Sequence, residues 1–200
     1  MSLPSSIFRR IAGRRRAIRG LFGWWVFAGL VSACSPEFNW RETRSIEQGF
    51  SVLLPGRPAS MSREIDLDGL KLEMTMTGAR VDRALFTVGA VRLEAEALDR
   101  AAASARALAA MRVAMLRNVG AESQPGAPVR VGLSDLSGSS RGLVDAVAVE
   151  ARGQMAGEPV VMHAIFVAHG LQLWQAVAIV APAQAQQART MLDSFRLLVP

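Results

Sequence analysis

Apolar and polar residues alternate with a period of two through most of the chain beyond residue 49, and change to spacings of three and four in two places. The first alternating run, Phe50-Ser51-Val52-Leu53-Leu54, breaks at Pro55-Gly56, as a strand ended by a turn does. Residues 61–67 and 70–77 flank Asp68-Gly69, a dipeptide suited to a two-residue hairpin because both positions tolerate positive φ. In the second arm Leu70, Leu72, Met74 and Met76 share one face while Lys71, Glu73, Thr75 and Thr77 share the other. A sheet with one buried and one wet side is therefore expected there. Residues 84–93 continue it after a turn near Val81-Asp82-Arg83.

The period changes over residues 98–119, where Ala101, Ala105, Leu108, Met111, Met115 and Val119 recur at helical spacing, with Asp99 placed to cap the start and Gly120 to end it. Arg112 falls inside that apolar arc, where its stem can lie on the core with the guanidinium in water. After Gln124-Pro125-Gly126 the strand pattern returns over 128–136, 143–151, 160–168 and 171–180, joined by short glycine-bearing turns. Such spacing implies an antiparallel meander. Pro182 then opens a second helix whose stripe is Ala185, Ala188, Met191, Leu192 and Phe195, running into Leu197-Leu198. The expected fold class is α+β, an antiparallel β-sheet of about six to eight strands packed with two helices.

The first 33 residues follow a different logic. Six arginines precede an uncharged apolar run over 21–31, which closes on Val31-Ser32-Ala33-Cys34. A basic start, a short apolar segment and small residues at the end describe a secretory signal peptide. The segment falls short of the roughly 20 apolar residues that a spanning helix needs. Residues 31–34 resemble a bacterial lipobox, with Cys34, the single cysteine of the chain, in the lipidated place. That resemblance implies cleavage before Cys34 and acylation there, so that several chains hold the protein on a membrane it does not span. By resemblance to the sorting rules of such lipoproteins, Ser35, where a retention signal places Asp, implies the periplasmic face of the outer membrane. The expected division is a signal peptide over 1–33, a lipidated terminus and short tether over 34–48, and one α+β domain over 49–200.

Charge reads differently once this leader is set apart. The net +6 of the whole chain is carried by its six leader arginines, and the remainder holds 17 basic against 17 acidic residues. Binding to a phosphate backbone draws on a net basic surface, so a nucleic-acid partner is not expected. With the one thiol committed to lipid, an exported domain of this size must be held by its core.

Few residues suggest chemistry. Gly138-Ser139-Ser140-Arg141-Gly142 matches the nucleophile elbow pattern of serine hydrolases, but that elbow needs a helix after the serine and residues 143–151 alternate as a strand. The two histidines, His163 and His169, share a strand face about 20 Å apart and cannot share a metal. Glu64, Asp66 and Asp68 read as a solvated hairpin tip, and Trp174 as core. No catalytic residue, cofactor or metal site is expected, and the chain is read as non-catalytic.

The order of hairpin strands, long helix, meander and closing helix resembles the PsbP-like fold over about residues 49–198. The residues that carry the likeness are Phe50-Ser51-Val52-Leu53-Leu54-Pro55, Leu171-Gln172-Leu173-Trp174 and Ser194-Phe195, with Trp174 standing where members often have Tyr. The resemblance implies an α/β/α sandwich and transfers no function. The function expected is that of a lipid-anchored envelope protein that binds a protein partner or stabilises an assembly. The alternatives are a carrier for a small apolar ligand, lined by Met74, Met76, Met111 and Met115, and a serine hydrolase.

Overall fold

The computed structural model describes residues 38–94, 100–122 and 124–200. The leader, Cys34 and the capping candidate Asp99 lie outside the described residues. Those described form a mixed α+β body of ten strands and two helices.

The strands are β1 (Trp40–Ser45), β2 (Phe50–Pro55), β3 (Ala59–Leu67), β4 (Leu70–Val81), β5 (Ala84–Arg92), β6 (Ala127–Asp135), β7 (Ser140–Met155), β8 (Glu158–His169), β9 (Gln172–Val180) and β10 (Arg196–Val199). Helix α1 spans Arg100–Asn118 and α2 spans Ala185–Ser194, the latter entered through a 3-10 turn at Pro182–Gln184. All ten strands join one sheet in the order β1-β2-β10-β6-β7-β8-β9-β5-β4-β3. The sheet curls until β2 touches β4. It therefore exceeds the six to eight strands expected, and it is curled where a sandwich sheet was anticipated.

The expected pieces sit where local chemistry demanded them. Asp68 (φ 57°) and Gly69 (φ 85°) turn the β3–β4 hairpin, and β6 to β9 form the antiparallel meander. Strand β9 is buried on both faces. Trp174, Ala176, Ala178 and Val180 face α2, while Leu173, Val177 and Ile179 face α1. The small side chains of Ala176 and Ala178 let α2 lie close, so Met191, Phe195, Phe50 and Phe86 close one core. Met111, Met162, Phe166 and Leu173 close the other, beneath α1.

Three expectations are corrected. Residues 40–45, assigned to the tether, form the edge strand β1 against β2. Its partly exposed, charged pattern suits an edge strand. The α1 stripe is rotated: Ala103, Ser104, Ala107, Met111 and Leu116 are buried, whereas Ala101 and Ala105 are exposed and Leu108 and Met115 lie at the margin. Alanine on several faces leaves the phase of such a helix poorly marked. The closing helix stops at Ser194, and residues 196–199 become β10, parallel to β6 and antiparallel to β2.

Candidate functional site

The elbow-like pattern lies in the β6–β7 hairpin, with no helix after it. Asp135 organises that turn: its Oδ1 accepts from the Ser137 amide (2.9 Å), the Ser137 hydroxyl (2.6 Å) and the Ser139 amide (2.9 Å). Its Oδ2 meets Arg141 Nη2 at 2.8 Å. The Ser137 hydroxyl bond, then the Ser139 amide, with a further contribution from Arg141, bring the Asp135 carboxyl down from 3.8 to about 2. This carboxylate is spent on holding a turn. Ser140 opens β7, and Glu150, the register partner of His163, stands ten residues or about 33 Å of strand further on. Ser140 and His163 therefore share no site.

His163 is buried on the α2 side of β8, with Nδ1 3.4 Å from Glu150 Oε2 and with Nε2 buried without a partner. Burial holds its pKa below the ordinary 6.5; Glu150 opposes that shift and Arg189 of α2 adds to it. Between the lowered folded value and about 6.5 the unfolded chain binds more protons, so this histidine's contribution to stability is present above pH 6.5 and is lost as pH falls through the folded pKa. His163→Gln is expected to flatten the acid-side fall of the urea midpoint between pH 7 and pH 5. An unchanged slope would remove His163 from that dependence. His169 lies exposed at the far end of the same strand.

The remaining candidates have structural duties. Asp66 Oδ1 accepts from the Gly69 amide at 2.7 Å, which closes the hairpin tip. Trp174 is 3% exposed, and its indole N–H donates to the Gln48 carbonyl at 2.7 Å. Gln172 Nε2 donates to the same oxygen at 2.9 Å, fastening the β1–β2 turn to β9. Arg112 is half-buried at the edge of a groove with Leu108, Val147 and Phe166. Met74 and Met111 are almost wholly buried, and Gln175 Nε2 lies 3.8 Å from Met74 Sδ and 3.7 Å from Met115 Sδ. The methionines proposed for an apolar chamber thus pack against one another's neighbours. No group of three or more metal-ligating side chains occurs among the described residues.

One feature escaped the sequence. A cleft of about 560 Å3 opens where the β4–β5 turn, the β7–β8 turn and the exit of β9 meet. Arg80, Arg83 and Glu158 stand at its rim, and Met155, Pro159 and Val160 form an apolar wall. These residues come from three distant parts of the chain, so neither spacing nor motif could gather them.

No helix among the described residues is long and apolar enough to cross a membrane. No family model matches the chain, and no curated protein matches it. Among solved structures, it is similar to a Pseudomonas aeruginosa protein of unknown function at 12% identity and a TM-score of 0.32, over 76% of this chain and 94% of that one.

Proposed function

We propose that this chain is a lipid-anchored bacterial envelope protein that works by binding a protein partner, without catalysis. The PsbP-like resemblance is a reading of the sequence, and the sandwich it implies differs from the curled sheet of ten strands. Cys34, at the end of a signal-like leader, stands six residues before β1, a span of at most about 22 Å of extended chain. A lipid on that thiol would hold the folded body close to the bilayer, on the periplasmic face of the outer membrane.

The observation that carries the interaction reading over the carrier is the filled core beneath α1. Met111 is 1% exposed and Met74 3%, and the partly buried Met76 and Met115 pack against the same core, so the side chains best suited to an adaptable lining are taken up in packing. The position of Ser140 at the foot of a hairpin arm supports the non-catalytic reading against a hydrolase.

Cys34→Ala is expected to abolish fatty-acid labelling and to leave a heavier uncleaved precursor. Crosslinking the membrane-attached wild type should give a discrete protein adduct. Unchanged labelling of the variant sinks the anchor, and the absence of any adduct sinks the interaction role.

A further inference from the structure

We propose that the cleft between the β4–β5 and β7–β8 turns binds an anionic amphiphile, a molecule with an acidic head and a short apolar tail. The inference is separate from the lipid anchor and from the protein partner. Its basis is the composition of a single concave site. At about 560 Å3 the cleft has the size of small-molecule sites, which pair mostly apolar walls with a few placed polar groups.

The charges are arranged with a definite hierarchy. Arg83 Nη1 already meets Glu158 Oε1 at 3.0 Å, an exposed pair held weakly in water. Arg80, one strand position before the end of β4, is exposed and has no acidic partner among the described residues. Arg80 is therefore the primary anchor for an acidic head. Arg83 joins once the head displaces Glu158, since guanidinium groups bind carboxylate and phosphate through paired N–H donors. Glu158 is the one acid in the wall among the described residues, and it competes with the ligand. Below the rim, Val160 and half-buried Met155 with Pro159 offer an unbranched tail a surface that needs no polar partner. Methionine adapts to tails of differing shape.

A head of this chemistry can come from a bilayer lipid or from a free amphiphile. The test is isothermal titration calorimetry on the full chain in a non-ionic detergent, using hexyl phosphate, inorganic phosphate and hexanol as probes. Hexyl phosphate should bind at least about tenfold more tightly than either half-molecule. Arg80→Glu should weaken it by about tenfold or more, and Glu158→Gln should tighten it several-fold by freeing Arg83 and removing a repulsive carboxylate. The opposite signs guard against a general loss of folding, because both side chains are exposed. Equal binding of hexyl phosphate and inorganic phosphate, or an Arg80→Glu variant that binds as wild type, overturns the proposal. Competition by mixed micelles of the detergent with phosphatidylglycerol but not by those with phosphatidylcholine assigns the head to bilayer lipid. No competition by either assigns it to a free amphiphile, and equal competition by both overturns the requirement for an anion. A protein lacking the Cys34 lipid should give the same result, which separates this site from the anchor.

Discussion

Phe86→Ala is expected to destabilise the folded domain by about 4 kcal/mol, within the range found for truncating a buried phenylalanine. Phe86 has no exposed surface, and it is the ring on which two others rest: Trp40 at 5.5 Å and Phe38 at 6.1 Å, both edge-on. Strand β1 pairs with β2 alone, half of its residues are exposed and none is fully buried. Its attachment therefore depends on this aromatic cluster more than on its ladder. Removing the ring leaves a void of several carbon atoms that Ala79 and Ala178, its register partners on either side, are too small to fill. Urea unfolding should show the loss. Hydrogen exchange should accelerate in β1 before it does in the central strands β8 and β9. Phe86→Leu, which refills part of the space, should recover more than half of the loss. A fall below about 1 kcal/mol for Phe86→Ala would mean that β1 is held by something other than these rings.

That dependence also explains which parts of the fold were legible in the sequence. The β3–β4 hairpin was, because Asp68-Gly69 encodes its own turn and needs no distant partner. The meander was, because consecutive strands with short turns pair with their chain neighbours. Strand β1 was not, since the sequence Trp40-Arg41-Glu42-Thr43-Arg44-Ser45 has only one strongly apolar position and its reason for being ordered, Phe86, lies over forty residues away. The ending was misread for a related reason. Leu197 and Leu198 continue a helical stripe in one dimension, yet they are consumed by pairing with Leu133 and Ser134 of β6 and, at Leu197, with Phe50 of β2. Residue-level periodicity reports which side chains are buried. It does not report what buries them.

The same limit applies to the sites. The elbow pattern at Ser140 was visible and could be discounted from the strand that follows it. The duty of Asp135, five residues earlier, was not, since an aspartate before a Leu-Ser-Gly turn looks like any solvated loop acid until its three donors and Arg141 converge on it. The cleft of Arg80, Arg83 and Glu158 was wholly hidden. Each residue alone reads as a solvated charge at the end of a strand, and only the meeting of two turns with the exit of β9 gives them a common cavity.

Gly153→Ala is expected to cost about 3 kcal/mol, the upper part of the range for forcing atoms into a packed site. The sign is the informative part. Glycine in the middle of a strand ordinarily weakens it by roughly 0.5–1 kcal/mol relative to alanine, so a neutral environment would make this substitution stabilising. Gly153 pairs with Val160 within β7 and β8, but an added Cβ there would run into the Val119 carbonyl oxygen at the end of α1. That same oxygen accepts the Gln154 amide at 2.8 Å, and Val119 itself is wholly buried. The neighbour in the way is backbone, so no side-chain rotation can make room. Either the end of α1 lifts from the sheet, giving up that hydrogen bond and the burial of Val119, or β7 bends away from β8. The urea midpoint should fall, and amide exchange should quicken in the last turn of α1 and at Gln154 while the β3–β4 hairpin keeps its protection. A rise in the midpoint would show that α1 yields at little cost, and that its grip on the sheet comes from Met111 and Ala107 in the middle of the helix and not from its end.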